Sequence, residues 1–123
     1  MDVRRRFGNA GESLAAEYLK SEGYVIVAKQ RRTRFGEIDL VCLDGAEVVF
    51  VEVKSRRTKT FGSPEESVTR EKIQRMARSA EWILREECWL ERPWRLDVVA
   101  IEYDVDPPKI THIHEIDMPS DTW

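Results

Sequence analysis

The chain has 123 residues, 41% of them hydrophobic and 35% charged, with a formal charge of −3. That length holds one domain, 1–123, around one buried core, and the scarcity of glycine (6) and proline (5) excludes a linker or a low-complexity chain. No apolar run approaches the roughly 18 residues of a membrane span, and no apolar stretch follows the basic N-terminus, so the sequence predicts a cytoplasmic protein with no membrane partner and no secretory signal.

Residues 9–22 read as a first helix, with Ala10, Leu14, Ala15, Tyr18 and Leu19 at helical spacing, Asn9 as N-cap and Gly23 just past the end. The β-branched and aromatic run 24–28 reads as a strand. Two more strands, 38–43 and 48–53, flank Asp44-Gly45, a strong hairpin signal. Both are apolar on both faces, as in a sheet covered on two sides. A loop over 58–64 leads to a long helix, 69–90, capped by Thr69 and carrying Ile73, Met76, Ala77, Ala80, Trp82, Ile83 and Leu84 on its apolar positions. Residues 95–101 form a core strand and 110–116 a final one, and the acidic end, 117–123, reads as a loosely held tail. The order α-β-β-β-α-β-(β) predicts an α/β fold with a mixed sheet flanked by helices. Cys42 and Cys88 form no CxxC and read as reduced packing thiols. Trp82, Trp89 and Trp94 read as packing residues.

The net charge conceals an asymmetry. Residues 1–62 carry 12 Lys/Arg against 9 Asp/Glu; residues 63–123 carry 8 against 14. The basic residues of the first half cluster twice, as Lys29, Arg31, Arg32 and Arg34 before the 38–43 strand and as Lys54, Arg56, Arg57 and Lys59 after the 48–53 strand. Between them the hairpin embeds Asp39, Glu52 and Lys54 in strands that are otherwise core, where charge is costly unless paired or used.

Hairpin register decides whether these groups meet. A turn centred on Asp44-Gly45 makes facing residue numbers sum to 89; one centred on Gly45-Ala46 makes them sum to 91 and sets Asp39 opposite Glu52. Either sum puts Asp39, Glu52 and Lys54 on one face, because side chains alternate with period 2. Like charges so placed destabilise a sheet by up to about 1 kcal/mol. A divalent cation offsets that repulsion, and hard oxygen ligands suit Mg²⁺ or Mn²⁺. Lys54 then orients a water or neutralises charge developing on a phosphate. The competing reading is a charge ladder, with Glu37, Asp39 and Glu52 satisfied by Lys54, Arg56 and Arg34. Glu12, at the border of the first helix's apolar face, either reaches the acidic pair or stays solvated. The basic runs, extended by Lys72 and Arg75 of the long helix, suit a polyanionic backbone laid across the acidic centre, or else a solvated loop. His112 and His114 share a face of the last strand, without an evident third metal ligand. Asp97 enters a core strand beside Arg95.

Several stretches together resemble the YraN family of endonuclease-like proteins: Gly8-x-x-Gly11-Glu12 followed by Ala15-Ala16, the segment from Gly36-Glu37-Ile38-Asp39 to Val41, the segment from Val49 to Glu52-Val53-Lys54-Ser55-Arg56, and Arg95-Leu96-Asp97-Val98-Val99-Ala100-Ile101. That family is similar to the PD-(D/E)xK nucleases and, among them, to archaeal-type Holliday junction resolvases. The resemblance implies a restriction-endonuclease-like three-layer core. It implies that Asp39 and Glu52 are the motif's two acids, Lys54 its lysine and Glu12 the first-helix acid that joins the metal site. Ile38 stands where the motif often has proline. The implied activity is metal-dependent hydrolysis of DNA phosphodiesters, on branched or repair intermediates, by a homodimer. The rival reading is a non-catalytic nucleic-acid-binding or adaptor module that keeps the fold.

Overall fold

The computed structural model describes residues 3–57 and 68–117. The described residues form helices α1 (Val3–Ser21) and α2 (Arg70–Glu86) and strands β1 (Val25–Thr33), β2 (Gly36–Asp44), β3 (Glu47–Arg56), β4 (Trp94–Glu102) and β5 (Lys109–Ile113). The five strands make one sheet in the order β1-β2-β3-β4-β5. Neighbours are antiparallel except β3 and β4, which run parallel across the α2 crossover. This is the α/β fold with a mixed sheet and the element order that the sequence predicts. No helix of the described residues is long and apolar enough to cross a membrane. Lys59 and the tail from 118 onward lie outside the described residues.

Each helix covers one face of the sheet. Ala15, Ala16 and Leu19 of α1 pack on Leu40, Cys42, Val49, Val51, Val99 and Ile101. Met76, Ala77, Ala80, Ile83 and Leu84 of α2 pack on Val41, Val48, Phe50 and Leu96. The central strands are thus buried on both sides, which is why they read as continuous apolar runs.

Helix ends follow capping chemistry. Gly23, at φ 94°, closes α1: its amide donates to the Lys20 carbonyl, and the Tyr24 amide donates to that of Leu19, a Schellman closure that needs a left-handed residue. Thr69 caps α2, its hydroxyl accepting from the Lys72 amide at 3.2 Å. Two helix boundaries differ from expectation. α1 begins at Val3, upstream of Asn9, because neither Gly8 nor Asn9 costs a helix more than about 1 kcal/mol. α2 stops at Glu86, short of 90. Cys88 there adopts φ 59°, and the Trp89 amide donates to the Leu84 carbonyl at 2.7 Å, so the same closure forms without a glycine. Cys88 is exposed rather than packed, whereas Cys42 is buried. β1 continues to Thr33 with few apolar residues because it is an edge strand, paired on one side only.

Candidate metal centre at a fork in the sheet

The hairpin turn is centred on Gly45-Ala46, with Asp44 opposite Glu47 and Leu40 opposite Val51. Of the two registers open to the sequence, this is the sum of 91. The β2–β3 ladder ends at Leu40–Val51. Beyond it, Gly36 to Ile38 pair only with β1, while Glu52 to Arg56 pair only with β4. The sheet therefore forks, and Asp39 and Glu52 stand on either side of the opening. The Asp39 carboxylate takes the place of the missing rung, accepting the Val53 amide at 2.8 Å. Ile38 and Leu40, two residues apart, pack into opposite cores, so the chain turns over at Asp39. Gln30, opposite Asp39 on the β1 side, adopts φ 51°, the kind of backbone strain that recurs at ligand sites.

Both helical layers reach this point. Gly11 brings α1 against β3: a Cβ on it would stand 2.0 Å from the Ser55 hydroxyl and 3.3 Å from Ser55 Cβ. The next residue, Glu12, is thereby delivered to the fork. Carboxylate oxygens of Glu12, Glu37 and Asp39 lie within 4.8 Å of one another. Gln30 Nε2 donates to Glu12 at 2.8 Å. Glu52, 5% exposed, hydrogen-bonds Asp39 and is held by Lys54 Nζ at 3.3 Å and Lys72 Nζ at 3.2 Å. Burial, then the Glu52 charge, then Glu12, push the Asp39 carboxyl up to about 8 against the pull of the Val53 amide. Burial together with the neighbouring acids makes this carboxyl keep its proton near neutral pH.

The oxygen set fits a small divalent cation. Mg²⁺ and Mn²⁺ take hard oxygen ligands of this kind, and Glu12, Glu37 and Asp39 each bring one carboxylate oxygen within reach of the others. A cation would also replace the proton that Asp39 retains. Glu37, which the sequence places only in a charge ladder, is part of this set. Its signal is its position two residues before Asp39 in the same strand. Gln30 carries no such signal.

The predicted basic residues divide. Arg32 lies 3.7 Å from Glu37, Lys72 touches Glu52, and Arg75 lines a hollow beside Glu37. Arg34 sits over the Phe35 ring at 5.6 Å. Arg31 turns away to pair with Glu87 at 3.5 Å and to cover Trp82. Arg56 is half-buried against Glu102 at 3.5 Å. Arg57 is exposed just past the end of β3.

A second polar cluster lies at the sheet's far end. Asp97, fully buried, accepts from Arg95 Nε at 3.0 Å and from the Glu115 amide at 2.9 Å. It pairs with His112 Nε2 at 2.7 Å, and His112 Nδ1 meets the Tyr18 hydroxyl at 3.2 Å. Burial alone would raise the Asp97 carboxyl; the hydrogen bonds from His112, Arg95 and the Glu115 amide outweigh it and hold the carboxyl low. His114 stacks on His112 with ring centroids 3.7 Å apart. Both Asp97 oxygens are already committed, so this group fastens β5 and α1 to β4.

The model of "Uncharacterised protein family UPF0102" matches residues 11–101. A UPF0102 protein of Symbiobacterium thermophilum is 49% identical over 100 residues, 81% of this chain and 85% of that protein. One of Syntrophomonas wolfei is 43% identical over 111 residues, 90% and 96% of the two chains. Among solved structures, Pyrococcus furiosus SfsA in complex with Ca²⁺ is similar at a TM-score of 0.41 and 15% identity, over 94% of this chain and 65% of that one. The fork, with Gly11, Glu12, Asp39, Glu52 and Lys54, lies within the matched residues, and the chain belongs to the UPF0102 family, the YraN family to which its motifs point.

Proposed function

We propose that this protein is a nuclease that hydrolyses DNA phosphodiester bonds with Mg²⁺ or Mn²⁺, acting on branched or repair intermediates. The observation that carries this reading is the fork. It gathers Glu12, Glu37, Asp39 and Glu52 from three elements and sets Lys54 beside them. Glu12, Asp39 and Glu52 hold the cation, with Glu37 in reach. When bound, the cation supplies Lewis-acid stabilisation of charge developing on the phosphate oxygens. Lys54, one-third exposed, donates from its ammonium to the attacking water or to a phosphate oxygen. Gln30 fixes the Glu12 carboxylate. Arg32, Arg34 and Arg57 grip the backbone on either side, and Lys72 and Arg75 extend the grip, without reading bases.

One observation favours the rival, a binding module without catalysis: Glu52 already has two lysine partners and is charge-compensated without a metal. Cleavage of branched, single-stranded and duplex DNA in Mg²⁺, Mn²⁺ or EDTA separates the two. The nuclease reading expects metal-dependent cleavage that Asp39→Ala and Lys54→Ala abolish. Binding in EDTA with no cleavage of any substrate would leave the module.

A further inference from the structure

Next to the fork lies a hollow of about 300 Å³, lined by Phe35, Gly36, Glu37, Lys72, Arg75, Met76 and Ser79. Two of its walls belong to the metal centre: Glu37 is one of the clustered acids, and Lys72 binds Glu52. The remaining lining is of another kind. Phe35, at the β1–β2 turn, is a large apolar side chain left 37% exposed, and Met76 adds a buried thioether. Arg75, one turn along α2 from Lys72, is an exposed cation.

The turn that presents Phe35 is braced. The Phe35 amide donates to Thr33 Oγ1 at 3.0 Å, and that hydroxyl lies 2.9 Å from both the Gly36 carbonyl and the buried Ser79 hydroxyl. A partly exposed aromatic ring on a braced turn, a thioether and two cations lining one hollow match the parts of a nucleotide: a base to stack and a phosphate to neutralise. A base inside a duplex keeps both faces stacked and cannot enter without being extruded, which costs a few kcal/mol.

We infer that this hollow is a subsite for one unpaired nucleotide next to the phosphate held at the fork. The inference rests on the nuclease reading and deepens it: the substrate carries an unpaired base at the cut, so paired duplex is disfavoured. Phe35 stacks the base, and Arg75 with Lys72 binds its phosphate.

The test is binding in EDTA, which does not depend on cleavage. Three fluorescent oligonucleotides serve as probes: a paired duplex, the same duplex with one extra unpaired 2-aminopurine, and a single strand. The unpaired-base duplex should bind about tenfold more tightly than the paired one, with a change in 2-aminopurine emission, since stacking on an aromatic is worth roughly 1–3 kcal/mol. Phe35→Ala should remove the preference while leaving paired-duplex affinity unchanged, and Phe35→Trp should keep it. Arg75→Gln should weaken binding of the unpaired probe. Equal binding of both duplexes by the wild type, or a preference unchanged in Phe35→Ala, would overturn the subsite even if cleavage occurs. A preference that is present and lost in Phe35→Ala upholds the subsite even if no cleavage is found. Absence of binding to all three probes overturns the subsite, and the nuclease reading is then decided by the metal-dependent cleavage assay.

Discussion

Asp39→Asn should stabilise the metal-free protein at alkaline pH. The folded protein raises this carboxyl from an ordinary 3.8 to about 8. Below about pH 4 it is protonated in the folded and unfolded chain alike and costs nothing. Between pH 4 and 8 the unfolded chain loses the proton while the fold retains it, so stability falls as pH rises. Above 8 the fold must accept the charge, and the loss is complete. At about 1.4 kcal/mol per pH unit the ceiling is roughly 6 kcal/mol. Water at this half-buried carboxyl reduces it to about 2–3 kcal/mol. Asparagine keeps an oxygen for the Val53 amide and offers Glu52 a donor, so the variant removes the charge without orphaning a partner. Thermal unfolding followed by circular dichroism in EDTA should show the variant and the wild type alike at pH 4, and the variant about 10 °C higher at pH 9. Mg²⁺ or Mn²⁺ should invert the comparison: at a hundredfold excess over Kd the wild type gains about 2.7 kcal/mol and the variant much less. A variant less stable at pH 9, or one whose advantage does not vary with pH, would refute the claim that uncompensated charge is concentrated at the fork.

Three further outcomes follow from the geometry. Lys54→Ala should lower the cleavage rate by about 10²–10³-fold while changing DNA affinity in EDTA by no more than about threefold, as read by single-turnover cleavage and anisotropy; an equal loss in both would make Lys54 a grip on the backbone only. Gly11→Ala places a methyl 2.0 Å from the Ser55 hydroxyl, and urea unfolding should show a loss of about 1–3 kcal/mol despite alanine's better helix propensity. Gly11→Ala with Ser55→Ala should recover most of that loss, and failure to recover would mean that α1 and β3 do not meet there. Asp97→Asn should cost about 1–3 kcal/mol: its buried hydrogen bonds to His112, Arg95 and the Glu115 amide lose their charge, while Arg95 keeps Glu47 and Asp44. Because the Asp97 carboxyl is held below its usual range, its contribution is present above about pH 4 and fades as pH falls further, so the variant and the wild type should converge in acid.

What the sequence makes legible is what depends on neighbours along the chain. Thr69 and Gly23 mark helix ends because caps are local. Alternation in the hairpin strands makes Asp39, Glu52 and Lys54 expected neighbours in either two-residue register, but the turning over of β2 at Asp39, between Ile38 and Leu40, breaks that period without any local signal. Choosing the register is harder: Asp44-Gly45 is the favoured turn pair by composition, yet Gly45-Ala46 occupies the turn. The end of α2 is hidden because Cys88, not a glycine, takes the left-handed position. Arg31 and Arg56 look alike in the chain but are claimed by distant partners, Glu87 and Glu102. The second pairing follows from the parallel register that sets Arg56 beside Glu102, which no local pattern announces. The polar run 29–33 reads as a basic loop because an edge strand needs little apolar surface.

The fork itself explains why the acids can be tolerated. β3 is the pivot of the sheet, antiparallel to β2 on one side and parallel to β4 on the other. Its first half, Val48 to Val51, is paired on both sides and buried at every position. That stretch supplies apolar burial in both layers, and it ends at the rung where β2 departs. Past that point β3 keeps β4 as its partner, so Glu52 and Lys54 remain fixed by a ladder while the β2 side opens to admit side chains from α1 and α2. A site on an unbroken sheet could draw on one layer only; a site on a free loop would lack the ladder that fixes Glu52. The burial, and after it the Glu52 and Glu12 charges, that lift Asp39 to about 8 are therefore localised beyond the fully paired rungs. A charge-neutralising ligand at the fork would relieve the repulsion without disturbing either core.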